Sequence, residues 1–280
     1  MFNKISIIVS KTDPAGLNIS NHLIKEFNFE KTEKSFDSNP IYSFSAEKTK
    51  QEFSLIFIEQ KQVFADYLNE LETDLFVFAS KHSSESKTPT LSVHPIGNFS
   101  SADLGGKPKT LIPTSSLVLK NFFLNLVKNA KSNSFPWPVL LEQTHHGPFL
   151  SKPTVFIEIG SSEEQWSDEK AGKILAQTIM NSFENFNPNF KTALGVGGTH
   201  YCPEFSKIEE RTEIALSHIL SKYYIDAVDL SLFKQMIEKT SEKTDLVLLD
   251  WKGLISEQRK KIISFCKELN LEYRRTRDFL

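Results

Sequence analysis

Apolar positions along the chain recur with two periods, and together they outline a succession of strands and helices. The β-branched run Ile5 to Val9 predicts a strand, which Asp13-Pro14-Ala15-Gly16 then breaks. Leu17, Leu23, Ile24 and Phe27 follow at helical spacing. Phe53 to Ile58 and Leu75 to Ala79 predict further strands, the second almost continuously apolar, as expected of a strand covered on both faces. Between them Val63, Phe64, Tyr67, Leu68 and Leu71 share one helical face. Pro113 to Lys131 predicts a helix entered through proline and hydroxyl residues. Val155 to Ile159 predicts a strand, and Ser161 to Phe183 a long helix opened by a capping-box pattern. Strand Thr192 to Val196 is followed by helices at about Phe205–Lys222 and Leu230–Lys239, strand Leu246–Leu249 and a last helix Ser256–Leu269.

Strands alternating with helices define an α/β chain with a mixed, largely parallel sheet flanked by helices. The whole of 1–280 reads as one such domain, with an irregular, Ser/Thr/Gly/Pro-rich insertion at about 80–113 that holds only the short run Leu91-Ser92-Val93. Lys31 to Lys50 reads as a surface excursion with one edge strand at Ile41–Phe44. No internal repeat or low-complexity tract is visible.

Composition alters this picture little. Phe occurs 23 times, so an aromatic core is expected. A net charge of −2 does not announce a nucleic-acid binder, although a local basic patch would still serve phosphate contacts. Cys202 and Cys266 are too few for a disulfide framework, which points to a reducing cytoplasm. No apolar run reaches the roughly 20 residues that span a bilayer, and the N-terminal segment reads as a strand rather than a leader. No membrane partner is expected.

The chemistry gathers in loops. Of the seven histidines, His82, His94, His145, His146 and His200 fall at strand ends or in loops. His22 and His218 fall on predicted helices, where surface or packing roles are expected. Pro95 holds His94 extended, and Gly97-Asn98 then turns the chain. Glu142-Gln143-Thr144-His145-His146 supplies imidazoles and a carboxylate, which suit either zinc or a general base with an orienting acid. A packed and a solvated histidine would also satisfy that pattern. Glu158 lies inside an apolar strand, where a carboxylate must be paired, ligated or turned to solvent. Gly195-Val196-Gly197-Gly198-Thr199-His200-Tyr201-Cys202 offers backbone amides for an oxyanion, with a plain strand-to-helix turn as the alternative. It is neither a GxGxxG nor a Walker A loop, so no nucleotide cofactor is expected. Cys202 as a nucleophile has little behind it. Basic residues cluster at Arg259-Lys260-Lys261 and Arg274-Arg275-Thr276-Arg277, with Lys107, Lys109 and Lys152 elsewhere; they would track phosphates only if the fold brings them beside the histidines.

Four ordered motifs, HPIGN (94–98), EQTHHGP (142–148), EIGSSEEQW (158–166) and GVGGTHYCPEF (195–205), together resemble the archaeal and plant type of D-aminoacyl-tRNA deacylase. The motif-bearing part spans about His82 to Phe205. The resemblance implies hydrolysis of the ester joining a D-amino acid to the tRNA 3′ end, which recycles tRNA and keeps D-residues out of translation. It also implies a zinc cofactor and a fold like that of peptidyl-tRNA hydrolases and purine nucleoside phosphorylases. Candidate metal ligands are His82, His94, Glu142, His145, His146 and His200. Candidate catalytic groups are His145, His146, His200, Glu158 and the Gly197-Gly198 backbone. The expected partner is D-aminoacyl-tRNA, through its CCA end and acceptor stem, with the protein acting as a monomer; the terminal adenine could stack on Trp137, Trp166 or Tyr201, although core packing is the stronger reading of each. A zinc-dependent peptidase or nucleoside-processing hydrolase is the rival reading, and a non-catalytic tRNA-binding module is another.

Overall fold

The computed structural model describes residues 2–280. In chain order the first half forms β1 (Lys4–Ser10), α1 (Pro14–Glu26), β2 (Glu30–Phe36), β3 (Asn39–Ala46), β4 (Gln51–Ile58), β5 (Leu75–Ser83), β6 (Thr90–His94), β7 (Gly97–Asn98), β8 (Thr110–Leu111) and α2 (Ser116–Ser132). The second half forms β9 (Val139–Leu141), β10 (Thr154–Ser161), α3 (Glu163–Trp166), α4 (Glu169–Glu184), β11 (Lys191–Val196), α5 (Pro203–Arg211), β12 (Ile214–Leu220), α6 (Leu230–Glu238), β13 (Leu246–Leu249), α7 (Ser256–Glu268) and β14 (Glu272–Arg275). Eight strands make the main sheet in the order β2-β3-β4-β1-β5-β10-β6-β9, and four make a second sheet, β12-β11-β13-β14. The run β4-β1-β5-β10 and the whole second sheet are parallel, while β2, β3 and β6 bring antiparallel pairings. No helix among the described residues is long and apolar enough to cross a membrane.

Strand alternation sorts the main sheet into two faces. Ile7, Val77, Ala79, Val93 and Ile157 point into a core that also takes Ile19 of α1, Phe122 of α2 and Ile174 of α4. The other face carries Ile8, Phe78 and Phe156, covered by Ile96, Ile112 and Leu150 from loops. On that face Phe156 pairs with Phe78 and His94, Glu158 with Ser80 and Ser92, and Gly160 with His82 and Thr90. A continuous row of polar side chains therefore follows an aromatic floor, in which Phe78 and Phe156 stack at 4.5 Å.

Several elements depart from the apolar periodicity. The helix expected at Val63–Leu71 is two short 3-10 turns, because Asp66 accepts from Phe149 N–H at 2.7 Å and the Val63 carbonyl packs under Gly105 and Gly147. The long helix from Ser161 is interrupted: Asp168 caps α4 through Ala171 N–H, while Asn18 donates to the carbonyls of Trp166 and Asp168. The helix expected to run through Lys222 stops at Arg211, where buried Lys120 Nζ takes the carbonyls of Glu209, Thr212 and Ile214. Ile214–Leu220 then continues as a fully buried strand, which puts His218 on β12 rather than on a helix. The excursion at Lys31–Lys50 holds most of two paired strands, and residues 80–113 carry β6 and the β7-β8 ribbon as well as loop.

Candidate active site

Five histidines and two carboxylates converge where the loops cover the second face of the main sheet. His82 comes from the end of β5, His94 from the end of β6 and Glu158 from the middle of β10. Glu142, His145 and His146 follow β9, and His200 follows β11. Backbone contacts fix these loops to one another. Gln143 N–H donates to His200 O at 3.0 Å and Cys202 N–H to Leu141 O at 3.0 Å, zipping the two segments together. Thr144 N–H donates to Ile219 O, and its hydroxyl accepts from Ile219 N–H while lying 3.2 Å from His218 Nδ1. Gly97 N–H donates to His146 O at 2.9 Å, which holds the far end. His146 itself sits at φ +50°, a conformation that costs energy for a non-glycine residue and here turns its ring into the cluster.

Glu142 Oε2 lies 2.8 Å from His200 Nε2, 3.3 Å from His82 Nδ1 and 3.7 Å from His145 Nε2. Glu158 Oε2 lies 3.4 Å from His82 Nδ1 and 3.6 Å from His94 Nε2. Glu142 is 0% exposed and Glu158 3%, so neither charge is spared by solvent. Burial opposes ionisation of Glu142, but contact with His200 and His82 prevails and holds it well below the usual carboxylate range. The same balance, with His82 and His94 as partners, holds Glu158 at about 2. Burial would lower His82, yet the two carboxylates push it up to about 11. Burial and the neighbouring charge at His94 move the other way at the double histidine: His145 is held well below its ordinary value and His146 falls to about 4. Two ionised acids, a cationic His82 and two neutral imidazoles thus share one small volume.

Second contacts orient the rings. Nδ1 of His94, His145 and His146 faces the carbonyls of Pro95 (3.1 Å), Gln143 (2.8 Å) and Gly147 (2.6 Å). A proton on each Nδ1 satisfies those carbonyls and, at the neutral His145 and His146, leaves the Nε2 lone pairs free. Glu142 Oε1 is buried without a polar partner, and Glu142 Oε2, His94 Nε2 and His200 Nε2 meet only one another or Glu158 and the neighbouring imidazoles. Orphaned polar atoms at this depth are costly, and here they are the ligand types a divalent cation takes. Three overlapping sets, His94-His145-His146, His82-Glu142-His200 and His94-Glu142-Glu158, each bring their ligand atoms within 4.8 Å of one another.

Two cavities open onto this cluster. The larger, about 740 Å³, runs over the ends of β1 and β5 past Asp13, Lys81, His82 and Glu158. The smaller, about 240 Å³, lies against Asn98, Phe99, Asp103 and Tyr224. Leu104, His145, His146 and His200 form the wall between them.

Other expected site residues lie elsewhere or act otherwise. Gly197 and Gly198 line neither cavity; Gly197 N–H is spent on Leu220 O at 2.8 Å, and the pair packs against Asp250 in the turn that follows β11. Cys202 is buried, which drives its thiol strongly toward the neutral form, and its Sγ faces the Thr199 carbonyl. Trp137 packs on Phe135, away from the cavities, and Trp166 donates to His82 O and lies under Lys81. Of the three proposed stacking aromatics only Tyr201 lines the larger cavity. Among groups that the sequence did not single out, Asp13 is recognisable as a helix cap, whereas Gln143 and Lys81 gain significance only from the fold.

Fold and site together describe an α/β protein whose two cavities meet at a cluster of imidazoles and carboxylates. A profile of D-aminoacyl-tRNA deacylase matches residues 69–274. D-aminoacyl-tRNA deacylases from Pyrococcus abyssi (38% identity over 95% of this chain and 98% of that one), Thermococcus onnurineus (37%, the same coverage) and Methanosarcina mazei (36%, over 96% and 91%) are similar throughout. A solved structure described as a conserved protein of unknown function superposes with a TM-score of 0.88 at 26% identity, over 99% of this chain and 96% of that one. The chain belongs to the D-aminoacyl-tRNA deacylase family. This membership disfavours the peptidase and nucleoside-processing readings.

Proposed function

We propose that the histidine–carboxylate cluster is where this chain hydrolyses the ester between a D-amino acid and the tRNA 3′ end. What carries the reading, beside the family, is that His145, His146 and His200 form the wall shared by two cavities, with the buried carboxylate of Glu142 directly behind His200 and His145. The donor set suits zinc. His94, His145 and His146 would hold it through Nε2, with Glu142 or Glu158 available as an anionic ligand. Such an ion supplies Lewis acidity toward an ester carbonyl and toward water.

The remaining roles fall to the chain itself. His200 is the imidazole that reaches both cavities with the greatest exposure, 37% of its side chain, and Glu142 lies beside it. A proton taken from attacking water onto His200 is steadied there by the Glu142 carboxylate, then passed to the ribose oxygen as the ester breaks. Glu158 holds His82 and His94 in place from below. The close walls of the smaller cavity select chirality by clash rather than by a special nucleophile.

The test is ester loss from matched D- and L-aminoacyl-tRNA, with and without a chelator. Faster loss of the D-substrate, abolished by chelator and restored by zinc, is expected. Equal loss of both enantiomers would overturn the assignment of chirality, and chelator-resistant turnover the assignment of zinc. Alanine at His145, His146 and His200 is expected to reduce the rate; near wild-type rates in all three would move the site elsewhere.

A further inference from the structure

The sequence's basic clusters do not meet at the site. Arg259 donates to Trp251 O, Lys261 to the carbonyls of Ile225 and Asp226, and Arg274 pairs with Glu272 at 2.6 Å. None of these groups lines either cavity, and Lys107 is seated over Phe149 at 3.7 Å. The cations that do reach the larger cavity are two separate lysines, Lys61 before the first 3-10 turn and Lys81 near the end of β5. Neither is paired with a carboxylate among the described residues; Lys81 Nζ instead rests over the Trp166 ring at 4.6 Å. The nearby Asp13 carboxylate is used internally, by Gly16 N–H, Lys81 N–H and the Ser80 hydroxyl. The cavity also holds Glu158, engaged with His82 and His94, and Glu85 at its edge. These two lysines, without a salt bridge to any carboxylate, stand beside the hydroxyls of Ser10 and Thr12 in the wall of the larger cavity.

The geometry points to a fixed polarity of the bound substrate: Lys61 and Lys81 take backbone phosphates of a single-stranded nucleotide end in the larger cavity, the ester lies at the shared histidine wall, and the aminoacyl side chain enters the smaller cavity. This rests on the deacylase reading above. The volumes support it. Some 740 Å³ admits a nucleotide with its phosphates, whereas 240 Å³ with Phe99 and Tyr224 in its wall suits one side chain. The reverse orientation would place phosphates beside Asp103, with no lysine lining that cavity.

Two substrates of one D-amino acid separate the outcomes: the aminoacyl-tRNA and the aminoacyl-adenosine, which keeps the ester and lacks phosphates. In K61Q/K81Q the ratio of kcat/KM for the tRNA over the adenosine ester is expected to fall about tenfold, mostly through KM. The salt dependence of kcat/KM on the tRNA should flatten by roughly 1.4 in log–log slope, about 0.7 for each single-strand phosphate contact. A charge-matched control, K260Q/R277Q, should leave the ratio alone. Ser100→Phe, which fills the smaller cavity, should slow a bulky D-residue more than D-alanine on both substrates. An unchanged ratio in K61Q/K81Q, or an equal fall in the control, overturns the lysine assignment. A Ser100→Phe effect that depends on the tRNA and not on the side chain overturns the polarity. If the unmodified protein cleaves neither ester, it is the deacylase reading that fails.

Discussion

Two groups of charges are buried in this molecule, and they are built differently. At Lys120 and Glu209, both 0% exposed, the ammonium donates to the carbonyls of Glu209, Thr212 and Ile214 and lies 3.4 Å from Glu209 Oε2. Glu209 Oε1 takes Leu216 N–H at 2.6 Å. Apart from Glu209 Oε2, which meets only the ammonium, the polar atoms are spent on joining α2, α5 and β12, and neither of the two cavities at the histidines reaches the pair. At the histidine cluster the carboxylates are as deeply buried, yet Glu142 Oε1 has no partner, and the imidazoles that face the two carboxylates (His82, His145 and His200) line open space. A buried charge that is saturated fastens a fold; one left open at a cavity wall is held for something that arrives.

That distinction is easiest to break by removing one member of each group. Glu142→Gln is expected to cut deacylation about 10³-fold, within the range for loss of acid–base machinery, with a far smaller change in unfolding free energy. Loss of rate that tracks loss of folded protein would make Glu142 a structural acid like Glu209. Lys120→Met should do the opposite. It leaves Glu209 unpaired in the core and is expected to cost about 3 kcal/mol in urea unfolding, while the rate per folded molecule stays within about twofold. Adding Glu209→Leu should restore much of the stability, because the uncompensated charge is then gone.

The two groups were also unequally legible in the sequence. Glu158 inside an apolar strand and the adjacent His145-His146 announced themselves by residue type, and the apolar run Val155–Ile159 and the short run Leu91–Val93 mark the strands that carry or flank them. Their meeting was not legible, since it depends on the pairing of β10 with both β5 and β6. Lys120 sits in an ordinary amphipathic helix and Glu209 in a charged one. Nothing local shows that both turn inward. The same pair explains the largest misreading of the fold, because the carbonyls that Lys120 takes are those at which α5 ends and β12 begins. The engagement of Gly197 N–H was hidden for a related reason: a free amide in a glycine-rich turn is indistinguishable, in sequence, from one already committed to a neighbouring strand.

The saturated pair carries a pH signature. Burial raises Glu209 from 4.5 to about 7 even with Lys120 alongside. A carboxyl whose folded value exceeds its unfolded one contributes stability fully below the unfolded value and loses it as pH rises through the folded one. Between about pH 4.5 and 7 this group alone should therefore lower unfolding free energy by on the order of 3 kcal/mol. The difference between the unmodified protein and Glu209→Gln, followed by urea unfolding at pH 5 and pH 7.5, isolates it. A pH-independent difference would mean that Glu209 stays ionised throughout and that Lys120 fully compensates it.

The smallest expected effects come from two glycines on opposite faces of the main sheet. A Cβ at Gly160 would meet Thr90 Oγ1 at 2.7 Å and His82 Cβ and Cδ2 at 3.1 and 3.2 Å. A Cβ at Gly172 would meet Asn18 Oδ1 at 2.1 Å, in the α1–α4 contact. Gly160→Ala displaces the His82 ring that bridges Glu142 and Glu158, and misplacement of a site group by a fraction of an ångström is expected to slow deacylation about tenfold. Gly172→Ala presses on the amide that ties α1 to the α3–α4 junction, so about 1 kcal/mol of stability is expected to go with little change in rate. Both are measured alike, by single-turnover ester loss and by denaturant midpoint. If Gly160→Ala loses stability and keeps its rate, His82 belongs with Lys120 among the fastenings, and the open part of the cluster shrinks to Glu142, His94, His145, His146 and His200.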